Sequence, residues 1–129
     1  MTIDVQAVTD QKVAVGAVEN PACHRLRAFA ADVPKGQVIV EVGAYRGRTA
    51  GWLALGASEG HGAHVFSVDP WEDRPLDSWP DGYHDQTVLA SYSEPGVKDA
   101  YLAHLTEAGV ADLVTPVQGY GAEIAALLR

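Results

Sequence analysis

Two carboxylates and two glycines stand near the ends of neighbouring apolar segments of this 129-residue chain. Glu41 lies near the end of the apolar run 38–42, and Gly43 and Gly47 follow it. Asp69 ends the next apolar run, 22 residues after Gly47 (69 − 47). A dinucleotide site places its ribose-binding acid about 20 residues after its glycine turn, so this spacing is typical of a nucleotide-type cofactor site. A tight strand-to-helix turn followed by a solvated aspartate gives the same spacing, and that interpretation stays open.

The residue between the two glycines indicates the type of cofactor. In the pattern G-x-G-x-x-G, the second glycine lets a pyrophosphate approach the main chain closely, whereas this chain has Tyr45 there. A bulky side chain at that position argues against NAD and FAD, and an adenosine cofactor without phosphates fits better. An NAD-dependent oxidoreductase is therefore a disfavoured alternative.

Three strands and their helices must position these groups. The run 38–42 is nearly continuously apolar, as expected for a parallel strand covered by helices on both faces. Thr49 and its neighbours open an apolar helix whose free amide groups face the same crevice. A second strand is predicted up to Asp69 and a third over 113–118, where Pro116 predicts a sheet edge because it cannot donate a ladder hydrogen bond.

The two motifs together resemble a known family. Residues 41–49, Glu-Val-Gly-Ala-Tyr-Arg-Gly-Arg-Thr, and 68–71, Val-Asp-Pro-Trp, are similar to class I S-adenosylmethionine-dependent methyltransferases. The closest branch is the small-molecule O-methyltransferase-like group, whose first motif runs Glu-x-Gly-x-x-x-Gly. The resemblance extends over about residues 37–128 and implies an α/β, Rossmann-like, three-layer αβα fold with parallel strands. It implies S-adenosylmethionine as the cofactor and methyl transfer to an oxygen, or to a nitrogen, of a small-molecule acceptor.

The resemblance also implies roles for individual residues. In that family, the residue matching Glu41 approaches the methionine ammonium through water, and the acid matching Asp69 takes the ribose hydroxyls. The turn 43–47 would cradle the methionine moiety, 70–71 would border the adenosine, and 119–120 would contact the adenine. The implied cofactor-binding residues are Glu41, Gly43, Ala44, Tyr45, Gly47, Thr49, Asp69, Pro70, Trp71, Gly119 and Tyr120.

The chain departs from the family in its strand count. A complete sheet has about seven strands and only three are predicted here, which leaves the strand 38–42 as an exposed apolar edge. We expect either the amino-terminal, cofactor-binding half of a longer protein, or a partner chain that covers this edge, for example in a homodimer. Residues 1–129 are predicted to form one partial domain, in which 1–19 is a flexible arm or a short cap over the site.

Two further helices are predicted around this unit. Asn20 and Pro21 predict a helix start, with Asn20 as the N-cap, and an apolar face that includes Phe29. A helix over 94–108 is predicted to begin after the cap Ser93. Its apolar face comprises Val97, Tyr101, Leu102, Leu105 and Ala108. A short helix over 122–128 follows the third strand.

The remaining reactive side chains give weaker signals. His84 lies in the long polar stretch 72–92 and is the candidate general base if this stretch folds over the cofactor. A solvated loop histidine is the alternative interpretation. His61 and His64 have an H-x-x-H spacing without a third ligand nearby, so a metal is not expected. Arg46 and Arg48 are candidates to bind a carboxylate, and exposed turn arginines are the alternative interpretation.

Composition limits the classes of partner. The net charge is −8 and there is no basic run, so nucleic acid is not an expected partner. The single cysteine, Cys23, suits a reducing cytoplasm and is predicted to be a small buried residue. No apolar run is long enough to cross a bilayer, so we expect a soluble, cytoplasmic protein. The alternative to a methyltransferase is a non-catalytic module that binds adenosyl compounds or a protein partner.

Overall fold

The computed structural model describes residues 2–10, 18–71 and 96–127. The strands are β1 (Val38–Val42), β2 (His64–Asp69) and β3 (Val114–Gln118). The helices are α1 (Val5–Thr9), α2 (Asn20–Asp32), α3 (Arg48–Glu59), α4 (Val97–Glu107) and α5 (Gly121–Leu127), with a 3-10 turn at Ala111–Leu113. Within these ranges, no helix has the length and apolar character needed to span a membrane.

The three strands form one parallel sheet in the order β1-β2-β3. Glu41 pairs with Ser67 across β1 and β2, and Asp69 pairs with Gln118 across β2 and β3. The carboxyl ends of all three strands therefore meet at one edge of the sheet. This arrangement confirms the predicted Rossmann-like α/β fold and places Pro116 on an edge strand, as expected.

One face of the sheet is buried by helices, and the other face is partly exposed at β1. Ile39, Val65 and Val114 lie on the face that packs into the core with α2, α3 and α4. On the other face, Val40 and Val42 of β1 are 53% and 69% exposed. The expectation that β1 is covered on both faces was therefore wrong for the part of the chain that the structure describes. The start of α5 approaches β1 on this face, where a Cβ on Gly121 would lie 2.9 Å from Val42 Cγ1.

Helices α2 and α3 cross in close backbone contact. A Cβ on Gly56 would lie 2.1 Å from the carbonyl oxygen of Arg27, and a Cβ on Gly60 would lie 2.0 Å from that of Ala31. Because real Cβ atoms do not approach backbone oxygens this closely, both positions need glycine. Arg27 adds a bidentate ion pair with Glu59 at 2.6 Å near the same crossing.

The start of α2 differs from the prediction. Glu19 is the N-cap residue and makes no side-chain capping hydrogen bond. The side chain of Asn20 instead accepts a hydrogen bond from Arg48, which also donates to the carbonyl oxygen of Val18 at 2.8 Å. Arg48 is 3% exposed, so the alternative that it is an exposed turn arginine was wrong. Its guanidinium joins the segment before α2 to the start of α3.

Two further predictions about α2 have different outcomes. Phe29 is exposed, because its position on the helix faces away from the α3 crossing rather than into the core. Cys23 is fully buried, as predicted, and burial raises the pKa of its thiol while the nearby Arg48 lowers it.

Part of the amino-terminal segment is a docked helix. Asp4 caps α1 by accepting a hydrogen bond from the main-chain N–H of Ala7, and its own N–H donates to the carbonyl oxygen of Ala108 at 2.9 Å. Val8 is fully buried and lies against Gly51 of α3. Residues 2–10 therefore pack on the core where the sequence predicted a flexible arm or cap.

Helix α4 is shorter than predicted. Its N-cap residue is Gly96 with φ +77°, so the helix begins at Val97 rather than at residue 94 after a Ser93 cap. Most of its predicted apolar face is buried, although Leu102 is exposed. Helix α5 begins at Gly121, one residue earlier than predicted, and is described to Leu127. The stretch 72–92 lies outside the described residues.

Candidate functional site

The turn between β1 and α3 contains two left-handed glycines with different surroundings. Gly43 has φ +89°, and its N–H donates to the carbonyl oxygen of Val68 at 2.7 Å. A Cβ added to Gly43 would meet nothing within 4 Å, so this glycine faces open space. Gly47 has φ +88° and caps α3, but its Cβ position lies 3.1 Å from the ring of Tyr101. Close approach of a ligand is therefore possible at Gly43, whereas Gly47 serves packing.

The Asp69 carboxylate joins this turn to the end of β2. Its Oδ2 accepts from the N–H of Tyr45 at 3.0 Å, and its Oδ1 accepts from the N–H of Trp71 at 2.7 Å. Tyr45 and Trp71 have φ values of +49° and +43°, and they are the only non-glycine residues with positive φ in the described ranges. Such conformations persist only where surrounding contacts impose them. Asp69 thus has a structural role that the sequence motif did not reveal.

Trp71 packs beside the turn between β1 and α3. Its indole N–H donates to the carbonyl oxygen of Tyr45 at 2.8 Å, and its ring lies 4.8 Å from the ring of Tyr101 between centroids. The ammonium of Lys98 lies 5.7 Å from the Trp71 ring centroid, within the range of a cation–π contact. Gln118 accepts from Lys98 at 2.7 Å and donates to the carbonyl oxygen of Pro70 at 3.1 Å. Residues 70–71 are therefore fixed by side chains from α4 and β3.

Glu41 lies in a hydroxyl-lined position between the sheet and α3. Its Oε2 accepts from the Thr49 hydroxyl at 2.7 Å, and its Oε1 accepts from the Ser67 hydroxyl at 2.6 Å. Burial raises the pKa of Glu41 above its usual range; the two hydroxyl hydrogen bonds oppose this shift, and the negative charge of Asp69 adds to it. Thr49 therefore orients Glu41 in this structure.

The raised pKa of Glu41 predicts a pH-dependent stability difference. A carboxyl group whose pKa is raised on folding stabilises the native state below its unfolded pKa of about 4.3, and this contribution is lost as the pH rises through the folded pKa. We expect Glu41→Gln to gain stability relative to the wild type between about pH 4 and neutrality. Denaturant unfolding of both proteins at several pH values measures this difference. A difference that is constant with pH, or that shrinks, contradicts the assignment.

The other implied cofactor-binding residues lie at the same edge of the sheet and differ in their exposure and hydrogen bonds. Ala44 is buried and its carbonyl oxygen accepts from the Gly47 N–H at 3.0 Å. Gly119 donates its N–H to the carbonyl oxygen of Asp69 at 3.0 Å, and Tyr120 is 37% exposed beside it. The β1, β2 and β3 ends therefore bring together the motif residues predicted from sequence.

Several side chains that contact the candidate site residues were not predicted. The strand register places Ser67 opposite Glu41 and Gln118 opposite Asp69. Lys98 was unassigned, and Tyr101 was predicted only as an apolar-face residue of its helix. A signal did exist for Ser67, since it is the one hydroxyl inside an apolar strand that runs parallel to the strand of Glu41.

His61, His64 and His84 are the other candidates from the sequence. His84 lies outside the described residues. His64 is within 2.7 Å of the Thr115 hydroxyl through its Nε2 atom. Across residues 2–10, 18–71 and 96–127, no three side chains of His, Cys, Asp or Glu are grouped as metal ligands.

Comparison with known proteins gives a likeness in structure rather than in sequence. No protein-family model matches the chain, and no curated protein matches it. Among solved structures, the cofactor-bound Rv0187 from MTB is 21% identical with a TM-score of 0.59, over 94% of this chain and 45% of that one. The O-methyltransferase TomG from Streptomyces achromogenes, which is involved in tomaymycin synthesis and was solved in complex with SAM, is 22% identical with a TM-score of 0.57. That match covers 95% of this chain and 44% of TomG.

The chain thus spans less than half the length of each of these two structures. At these identities the likeness establishes the fold, and function must be argued from the site. Over the part that it covers, the chain shares the Rossmann-like α/β fold of these two structures.

Proposed function

We propose that this chain binds S-adenosylmethionine and forms the cofactor-binding part of a methyltransferase that acts on an oxygen of a small-molecule acceptor. The observation that carries the proposal is the open, left-handed turn at Gly43, held beside the Asp69 carboxylate at the carboxyl ends of β1 and β2. In open parallel sheets, ligands bind outside the carboxyl ends of the strands. TomG was solved with SAM and Rv0187 with its cofactor.

The residues present fit an adenosyl cofactor without phosphates. The space above Gly43 has room for a ligand close to the main chain. Each oxygen of Asp69 accepts one main-chain hydrogen bond, so each keeps a lone pair for a ribose hydroxyl. The N–H of Tyr45 is already bound to Asp69, which removes one of the donors that a pyrophosphate needs. This hydrogen bond supports the choice of an S-adenosyl compound over NAD.

The chemistry of the reaction belongs mainly to the cofactor. When bound, S-adenosylmethionine supplies an activated methyl group, and the protein must hold the acceptor in line with it. Correct orientation alone is worth about 7–11 kcal/mol. Asp69 and the wall formed by Trp71 would hold the adenosine part in place, and the turn at Gly43 would lie against the methionine part. The proposed general base His84 belongs to the stretch outside the described residues.

A second candidate function is a non-catalytic adenosyl-binding module that needs a partner chain. The exposed valines of β1 favour a partner, as does the lack of a further strand beside β1 in the ranges that the structure describes, because exposed apolar edges invite pairing. We propose that a complementing chain, or a second copy in a homodimer, covers this edge. Sedimentation over a range of concentrations tests the homodimer: we expect self-association that Val40→Lys weakens. A strictly monomeric wild-type chain would contradict it.

Ligand-dependent stability separates these functions. We expect S-adenosylmethionine and S-adenosylhomocysteine, but not NAD, to stabilise the folded chain by about 2.7 kcal/mol at one hundred times the dissociation constant. A thermal-shift series with the three compounds measures this effect. Stabilisation by NAD alone would support an oxidoreductase. Binding without methyl transfer, even with a complementing chain, would support the non-catalytic module.

A further inference from the structure

Lys98 lies in the first turn of α4 and contacts the segment that follows β2. Its ammonium donates to Gln118 Oε1 at 2.7 Å and lies 5.7 Å from the centroid of the Trp71 ring. A cation in the first turn of a helix is unfavourable, because the amino-terminal end of the helix carries partial positive charge. The contacts with Gln118 and Trp71 therefore explain this position better than helix stability does.

The amide of Gln118 is oriented by contacts at both of its ends. Its Oε1 accepts from Lys98, and its Nε2 donates to the carbonyl oxygen of Pro70 at 3.1 Å. A flipped amide would turn its donor towards the ammonium and its acceptor towards the carbonyl oxygen, so both hydrogen bonds would be lost. Gln118 also lies opposite Asp69 in the register of β2 and β3. The Lys98–Gln118 pair thus ties the residues after Asp69 to α4 and to β3.

Trp71 depends on such contacts because its φ is +43°. A non-glycine residue keeps this conformation only where its surroundings impose it. Its main-chain N–H donates to Asp69 Oδ1 at 2.7 Å, and its indole N–H donates to the carbonyl oxygen of Tyr45 at 2.8 Å. Contacts that fix Trp71 therefore also fix one oxygen of the Asp69 carboxylate.

We propose that Lys98 and Gln118 are positioning residues for the adenosine part of the ligand. They hold Trp71, and through its main-chain N–H the Asp69 carboxylate, in the binding geometry before the ligand arrives. Such pre-organisation raises affinity, because less conformational freedom is lost on binding. This inference rests on the proposed function and extends it to two side chains outside both sequence motifs.

Three lysine variants and two ligands test this role. Lys98→Met removes the charge and the donor, Lys98→Arg keeps both, and Lys35→Met makes the same charge change at an exposed turn residue before β1. We expect Lys98→Met to weaken adenosine and S-adenosylhomocysteine equally, by about fivefold, equivalent to about 1 kcal/mol. Lys98→Arg should restore most of this affinity, and Lys35→Met should bind as the wild type does. Calorimetric titration of folded proteins measures these affinities.

A double-mutant cycle tests whether Lys98 and Gln118 act as one unit. We expect Gln118→Met to weaken adenosine about as much as Lys98→Met does, because each change breaks the same chain of contacts. The double variant should then lose less than about tenfold, whereas two independent effects would multiply to about 25-fold. Multiplied effects would overturn the shared role.

Solvent exchange of the indole N–H groups gives a measurement that needs no ligand. In the free Lys98→Met protein, we expect the indole N–H of Trp71 to exchange faster than in the wild type, because its segment opens locally. The indole of Trp52 is fully buried in the core, and its exchange should stay unchanged. Nuclear magnetic resonance measures both rates in the same sample. Equal acceleration of the two indoles would mean that Lys98 only stabilises the fold as a whole.

The two ligands separate this inference from the proposed function. A loss confined to S-adenosylhomocysteine would mean that Lys98 contacts the amino-acid end of the ligand, and would overturn the positioning role. Unchanged affinities in Lys98→Met, with normal binding by the wild type, would overturn this inference alone. If the folded wild type binds neither compound, the proposed function fails, and this inference fails with it.

Discussion

Replacing Gly56 by alanine is expected to lower the free energy of unfolding by about 3 kcal/mol, the upper end of the usual cost of overpacking. The added Cβ would lie 2.1 Å from the carbonyl oxygen of Arg27 and 2.8 Å from its Cα. These are backbone atoms of α2, so relief requires the two helices to move apart. The better helix propensity of alanine offsets only about 1 kcal/mol of this loss of stability. Denaturant unfolding measures the change.

Gly51 provides a matched control in the same helix. A Cβ there would lie 3.5 Å from the His104 ring and 3.6 Å from Val8, which are ordinary van der Waals contacts. Gly51→Ala should therefore gain stability through helix propensity, by up to about 1 kcal/mol. If the two substitutions have the same effect, the close crossing of α2 and α3 is not as described.

Asp69→Ala is expected to remove ligand binding and to destabilise the free protein. The N–H groups of Tyr45 and Trp71 would lose a charged acceptor while their positive φ values remain, which we expect to cost about 3 kcal/mol of unfolding free energy. Loss of two ribose hydrogen bonds of similar strength should weaken S-adenosylhomocysteine at least about one hundredfold. Denaturant unfolding and calorimetric titration measure the two effects.

Asp69→Asn separates the two roles of this carboxylate. Its amide keeps one acceptor oxygen, so we expect a stability between those of the wild type and of Asp69→Ala. Titrations must be made at a temperature at which circular dichroism shows each variant folded. An Asp69→Ala variant that is folded and binds the ligand normally would rule out the role in cofactor binding, whatever its stability.

Features set by local sequence were predictable. The apolar runs predicted β1 and β2, and the glycines predicted the turn between β1 and α3, because strands and turns depend on neighbouring residues. The ends of β1 and β2 agree with the prediction. The residue types at those ends also sufficed to locate Glu41 and Asp69 at one edge of the sheet.

Features set by packing between distant segments were not predictable. Gly47 and Gly56 are needed because Tyr101 and Arg27 approach them, and sequence spacing does not reveal such contacts. Arg48 is buried because the segment before α2 supplies oxygen acceptors for it. The exposure of β1 also depends on which other elements cover it. The apolar sequence of β1 alone does not determine this.

The position of Tyr101 is a second example of a feature that depends on packing between distant segments. Its spacing on α4 predicted a core residue, and it is one. Its position depends on how α4 packs against Gly47 and Trp71.

A pair of glycine substitutions tests whether the turn at Gly43 is a ligand-binding surface. Gly43 and Gly36 have φ values of +89° and +86°, and a Cβ at either position would meet nothing within 4 Å. Alanine should therefore impose similar backbone strain at both, of about 1–2 kcal/mol. Only the Cβ at Gly43 would project into the proposed cofactor space.

Calorimetric titration of S-adenosylhomocysteine into the wild type, Gly43→Ala and Gly36→Ala is the decisive measurement. We expect the wild type and Gly36→Ala to bind with the same affinity, and Gly43→Ala to bind at least about tenfold more weakly, a difference of about 1.4 kcal/mol. Equal affinities in all three folded proteins, or no binding by the folded wild type, would contradict it.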